Sequence, residues 1–308
     1  METLRFPIKS NQKLGSIMKL AFSTNAFKKF SLEESIRLIK MIGYRGVEIL
    51  CDIPHAYPSY LGEKDILLIK EAVSKNDIEI SNLNAFTLYA ITDVYHPSWI
   101  EWDRRQRELR IQHTNNCLNL ARMVGAKNIS TEPGGPAKAH HSREINLNGH
   151  TASRCDLQVL DNLFIEGIKK SAEIAKTNGI KILVEPEPGL LIENSDQFLK
   201  FVNKVKSDWV GLNFDIGHFF CVREDPADVI YRLAKYIGHF HLADISHTRV
   251  HNHLIPGHGA IDFLSIFKAI NDINYHGFIT VELYPYQDEP ITAAEMSFKY
   301  LSKIMEKL

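Results

Sequence analysis

Ile180-Lys-Ile-Leu-Val-Glu185-Pro-Glu187-Pro-Gly-Leu-Leu-Ile-Glu-Asn-Ser195-Asp-Gln197, followed after a helical stretch by Val210-Gly-Leu-Asn-Phe-Asp215-Ile-Gly-His218, sets the frame for the chain. Two apolar runs of strand length each end on an acid. Between them Ser195-Asp-Gln197 sits where a helix N-cap belongs, and the apolar side chains that follow recur at helical spacing.

Working outward, the same unit recurs. Strands are expected at residues 18–23, 46–50, 78–83, 126–131, 181–185, 210–215, 238–242 and 277–282. These runs are rich in Val, Ile, Leu and Phe, as parallel strands buried on both faces should be. Ser31-Leu-Glu-Glu34 reads as a second helix start, and Gly43 and Gly179 as helix stops just before the next strand. Eight strand–helix units close naturally into one α/β domain, a single (β/α)8 TIM barrel over residues 18–308, preceded by a short flexible extension at 1–17. A doubly wound open sheet would carry a glycine-rich phosphate turn after its first strand, and Ser23-Thr-Asn-Ala-Phe27 is not one. Two loops after strands are long, 85–103 and 132–151, and both fall on the face where barrels build active sites.

Composition narrows the function classes. With 44% hydrophobic and 24% charged residues the 308-residue chain has the make-up of a globular domain rather than a disordered one. A net charge of -1 leaves no basic face for nucleic acid. Cys51, Cys117, Cys155 and Cys221 form no CxxC pair, so neither a zinc ribbon nor a disulfide scaffold is expected, and a reducing, cytoplasmic setting fits. The first residues lack the apolar core of a secretory signal. No apolar run approaches the roughly 20 residues that span a bilayer.

The chemistry lies at strand ends. Strands five to eight finish in Val184-Glu185, Phe214-Asp215, His239-Phe-His241 and Val281-Glu282. At the top of a barrel such ends converge, and three carboxylates drawn together stay ionised only beside a cation. Glu185, Asp215, His241 and Glu282 are therefore the candidate ligands of one divalent metal, with Mn the first choice and Co, Mg, Fe or Zn also fitting the donors. Of His239 and His241, at most one is expected to face the barrel axis. Glu187 is expected to face substrate. Glu48 and Glu132, at the ends of strands two and four, are weaker candidates of the same kind. The loop after strand seven is dense in histidine: His247, His251, His253 and His258. For His247, His251 and His258, taken singly, solvated loop positions are the simpler reading. His218, on the turn after Asp215, is placed to meet a substrate oxygen or another metal. His140 and His141 lie in a lid with no chemical role.

With Val184-Glu185, Phe214-Asp215-Ile-Gly-His218, His239-Phe-His241-Leu-Ala-Asp244, His253-Leu-Ile-Pro-Gly257-His-Gly259-Ala-Ile-Asp262-Phe263 and Val281-Glu282 in this order, the chain resembles the xylose isomerase-like TIM barrel superfamily from Met18 to its end, and in particular its sugar phosphate isomerase/epimerase branch. Resemblance to the ketose 3-epimerases implies one metal on Glu185, Asp215, His241 and Glu282. Glu185 and Glu282 would then exchange a proton alpha to a metal-bound carbonyl through a cis-enediolate. His218, Arg249, Glu187 and His253 would hold the substrate. The implied substrate is a sugar, ketose or cyclitol, unphosphorylated because no Lys or Arg cluster marks a phosphate site.

The same superfamily includes metal-dependent dehydratases, and endonuclease IV with its three zinc ions. Ser81-Asn-Leu-Asn84 and Ser130-Thr-Glu132 lack that nuclease's added histidines. Even so, His218, His251 and His253 are placed for a second metal. A non-catalytic sugar-binding or partner subunit is the remaining alternative, opposed by the intact ligand set. No membrane partner is expected; a homodimer is the assembly that barrels of this kind often form.

Overall fold

The computed structural model describes residues 18–137 and 154–308, the side chains of 154 and 155 apart. The expected extension at 1–17, His140 and His141, and most of the loop at 132–151 lie outside the described residues.

All eight expected runs are strands: β1 (Lys19–Ser23), β2 (Gly46–Leu50), β3 (Glu79–Asn84), β4 (Asn128–Thr131), β5 (Lys181–Val184), β6 (Val210–Asp215), β7 (Ile237–Leu242) and β8 (Phe278–Val281). They close into a barrel in chain order, every pair parallel, with β8 returning to β1 so that Ala21 lies opposite Thr280. Helices follow the strands and pack their apolar stripes on the barrel. In the helix Ser195–Val205 the buried side chains are Ser195, Phe198, Phe201, Val202 and Val205, one face of a 3.6-residue period. Among the described residues no helix is long and apolar enough to cross a membrane.

Local signals hold with one shift. Ser31 accepts the Glu34 N–H at 3.1 Å and opens the helix Leu32–Ile42, which Gly43 ends at φ +123°. For the helix after β5 the cap is Asn194, not Ser195. The Asn194 side chain takes the Gln197 N–H while Gln197 reaches back to Asn194 N, and Ser195 is free to donate its hydroxyl to Glu224 at 2.5 Å.

The barrel interior is polar beneath the site, where branched apolar layers are the usual filling. Asn128 donates to Asn82 Oδ1 at 2.6 Å, and Asn82 donates to Ser130 Oγ at 2.9 Å and to Glu48 Oε2 at 2.7 Å. Pairing register slips at Val47/Glu48 between β2 and β3, and at Leu212/Asn213 between β6 and β7. Such irregularities re-aim side chains, here on the two strands that carry Glu48 and Asp215.

Over the mouth lies the loop between β3 and the helix Arg104–Val124. Its root is Arg110, fully buried, which donates to the carbonyls of Ala85, Phe86 and Pro97. Arg110 Nε stands 3.9 Å from Glu132 Oε1, and Glu132 in turn accepts the N–H groups of Trp99 and Gly134. Glu132 therefore supports loops. Asp52, just after β2, holds the same loop by accepting from Thr87 Oγ1, Tyr89 N and Ala90 N.

Replacing Arg110 by Met strips these carbonyls of their donor and leaves Glu132 buried without its countercharge. The expected loss is about 3–5 kcal/mol of stability, read as a lower urea midpoint. An unchanged midpoint would remove the ion pair from the support of the loop.

Candidate metal centre

Glu185 and Glu282 each follow the last residue of their strand, Asp215 closes β6, and His241 lies one residue before the end of β7. One donor atom from each falls within 4.8 Å of the others. All four are buried. The four side chains that the sequence places at these strand ends thus meet at one point.

Each carboxylate has one oxygen tied and the other aimed inward. Glu185 Oε2 accepts from Asn213 Nδ2 at 2.8 Å, leaving Oε1 at the centre. Asp215 Oδ1 caps the helix Ile216–Cys221 by accepting the His218 N–H at 2.8 Å, and its Oδ2 is buried without a hydrogen-bond partner. Glu282 Oε1 accepts from Asn25 Nδ2 at 2.8 Å and Asn84 Nδ2 at 3.1 Å, leaving Oε2.

His241 completes the set through a relay. Its Nε2 lies 2.7 Å from Glu48 Oε2, where Nε2–H is the donor, and its Nδ1 faces Glu185 Oε1 at 2.9 Å and Glu282 Oε2 at 3.5 Å. A carboxylate behind the imidazole fixes the tautomer that presents Nδ1 to a metal. Burial pushes His241 down, but Glu185, Glu48 and Glu282 outweigh it and hold the imidazole well above its usual range. Burial likewise raises Glu48, yet His241 and His239 outweigh it and keep that carboxyl well below the usual range. For Glu185 and Glu282 burial wins, and both are pushed up. The arrangement asks for positive charge at its centre. Three inward oxygens, one of them an orphan, and one directed ring nitrogen fit a divalent cation.

Beside it stands an imidazole triad. His218 Nε2 is 3.0 Å from His251 Nε2, which is 3.3 Å from His253 Nε2. His218 Nδ1–H donates to Pro186 O and His253 Nδ1–H to Glu282 O, both at 2.9 Å, so each keeps an Nε2 lone pair on the side of His251 Nε2. Burial holds His218 down at about 3 and His251 at about 4, so both rings are neutral. This triad adjoins the carboxylates, with His218 Nε2 4.0 Å from Asp215 Oδ2.

Both clusters open into a cavity of about 200 Å³, lined in part by Lys28, Tyr95, Glu187 and Tyr284. Glu187 accepts from Tyr95 OH at 2.6 Å and is pushed up to about 8, chiefly by burial. Arg249 is elsewhere. Its backbone takes φ +61°, its guanidinium lies over the Phe220 ring and donates to Phe220 O, and it lines a different cavity from His218 and Glu187. His247 and His258 are exposed.

His239 and His241 correct the sequence expectation, because residues two apart on a strand share a face. Both imidazoles are buried and both approach Glu48 Oε2, at 3.5 and 2.7 Å. The sequence reading also passed over Asn25, Asn84 and Asn213. Of these only Asn213 carried a signal, since it lies two residues before Asp215 on the same strand.

Residues 36–304 match the family described as xylose isomerase-like TIM barrel. The chain is 25% identical to inosose dehydratase of Clostridium perfringens over 317 residues, which cover 96% of this chain and 98% of that protein. Among solved structures it is similar to a D-tagatose 3-epimerase-like protein, with a TM-score of 0.73, 23% identity and coverage of 94% and 99% of the two chains. It is also similar to the IOLI protein solved with a zinc atom, with a TM-score of 0.73, 19% identity and coverage of 94% and 99%.

Asp215→Ala is expected to abolish stoichiometric metal binding, measured by elemental analysis after dialysis. Glu48→Gln keeps the ligands but weakens the hold on the His241 tautomer, and is expected to lower metal affinity by about ten- to a hundredfold. Full occupancy in Asp215→Ala would mean that the ligand set is wrong.

Proposed function

The chain belongs to the xylose isomerase-like TIM barrel family, and from that premise we propose that it is a divalent-metal-dependent isomerase or epimerase of a sugar-like polyhydroxy ketone, a ketose or a cyclitol ketone. The observation that carries this reading is the pair of buried carboxyls, Glu185 and Glu282, set on one centre with each side chain held by amide donors. Glu185, Asp215, His241 and Glu282 would hold the metal; manganese suits their mainly oxygen donors, and Co, Mg, Fe or Zn would also fit. Bound there, a divalent cation supplies the positive charge that makes a C–H next to a carbonyl acidic.

The residues of the chain do the rest. One of Glu185 and Glu282 takes the proton and the other returns one to the opposite face, the division of labour expected of a paired acid and base. His218 and His253, their Nδ1–H groups fixed on backbone carbonyls, turn Nε2 toward the cavity to receive substrate hydroxyls. Tyr95 and Glu187 bound the cavity on the side of the loop and exclude water. Arg249 has no part in this scheme. Free, buried Cys51 and Cys117 support a reducing, cytoplasmic setting.

Loss of water from the same deprotonated substrate is the second reading. The similarity to inosose dehydratase across nearly the whole chain supports it, and the Glu187–Tyr95 pair offers a third acidic group for a departing hydroxyl. A second cation on His218, His251 and His253 is a further proposal, supported by the convergence of their Nε2 atoms. With net charge -1, the chain gives a hydrolase of DNA little support.

Manganese-loaded protein incubated with ketoses and inososes in D2O separates the two readings. Deuterium entering the carbon next to the carbonyl, with an epimer or isomer as product, is the expected result, whereas an unsaturated product would establish dehydration. In Glu282→Gln the exchange rate is expected to fall roughly a thousandfold. Undiminished exchange in that variant would take Glu282 out of the chemistry.

A further inference from the structure

Among the described residues Lys28 is the one Lys or Arg that lines the cavity. It follows the short turn after β1, and its ammonium lies 4.5 Å from the centre of the Tyr89 ring. No hydrogen bond or ion pair engages that ammonium among the described residues.

The acids that act on it are already committed. Asp52 and Glu282 are the carboxylates whose charge reaches Lys28. Asp52 accepts from Ile53 N and Ala90 N on one oxygen, and from Thr87 Oγ1 and Tyr89 N on the other. Glu282 Oε1 takes two amide donors, and Oε2 faces the imidazoles of His241 and His253. Burial meanwhile lowers the Lys28 pKa, the mark of an ammonium partly stripped of water. The Tyr89 ring positions this cation without neutralising it, and Tyr89 is itself fixed through its N–H to Asp52 at 2.6 Å. The three N–H donors of the ammonium therefore face the cavity without a hydrogen-bond partner among the described residues.

We infer that Lys28 is a recognition residue for the substrate, and that the group it meets there is a carboxylate. The inference rests on the reading of the cavity as a polyol site with a metal at its base. A single ammonium matches one carboxylate, whereas phosphate sites usually gather several cationic or backbone donors. A cavity of about 200 Å³ suits a compact polyhydroxy acid with one charged end. The sequence, with no Lys or Arg cluster, points to an unphosphorylated substrate, and one lysine at the cavity is compatible with that.

Two open-chain six-carbon probes test this: D-gluconate and D-glucitol, which differ only where one has a carboxylate and the other a hydroxymethyl group. Calorimetric titration of each into manganese-loaded protein is expected to show gluconate binding about ten- to a hundredfold tighter. Lys28→Met is expected to erase that preference by lowering gluconate affinity to the level of glucitol, and Lys28→Arg to keep it. A preference that survives in Lys28→Met would place the carboxylate on the metal and overturn the assignment. Equal binding of both probes by the parent protein would overturn it too. If neither compound binds although manganese does, the polyol reading of the cavity fails, and this inference with it.

Discussion

Glu48 is a carboxylate with no exposed surface, and the site is built around the need to satisfy it. Asn82, Asn84 and His241 all donate to it, and His239 stands 3.5 Å away. A buried charge left unpaired would cost several kcal/mol, so each of these partners is held in place by the same requirement. His241 is the partner that matters for chemistry, because its ring is the wedge between Glu48 below and the inward carboxylate oxygens above. Turning the imidazole over would take its Nε2–H away from Glu48 and leave that carboxylate with the two amides alone. Asn84 works in the same way, with one amide shared between Glu48 and Glu282. Ligand geometry at the mouth is thereby coupled to the hydrogen-bonded interior of the barrel.

The neighbouring imidazoles follow a different electrostatic logic. His218 and His251 are neutral because burial and neighbouring imidazoles disfavour a proton, His251 and His253 acting on His218 and His253 on His251, whereas the acids around His241 favour one. Two environments a few ångströms apart thus pull the same side chain in opposite directions. Substrate would lie along this boundary, with acidic ligands on one side and neutral acceptors on the other.

Much of this was legible in the chain, for a physical reason. A parallel barrel aims its strand ends at one point, so an acid or imidazole that closes an apolar run is already placed; Glu185, Asp215, His241 and Glu282 could be read off individually. Asn25 and Asn84 could not, since a neutral amide at a strand end has no distinctive pattern and acquires its role only from the carboxylate that it meets. Arg249 misled because a loop residue is aimed by its backbone, and φ +61° turns it onto Phe220. The Ser195 cap was displaced by one residue because Asn194 and Gln197 satisfy the same helix end reciprocally. Lys28 looked like any surface lysine until Tyr89, far along the chain, was laid beside it.

The barrel also divides its labour along the chain. The donors that converge on the candidate metal position come from β5 to β8, as do Asn213 and the imidazole triad, while Asn25, Lys28, Glu48, Asn84, Tyr89 and Tyr95, which also steady those donors or meet the cavity, lie in the first half. Laboratory evolution can exploit this separation. A gene library confined to codons 25–95, with Glu48 left intact, would sample new cavity shapes without altering a single candidate ligand. The seam between β4 and β5 is likewise a natural point for recombining halves from different relatives.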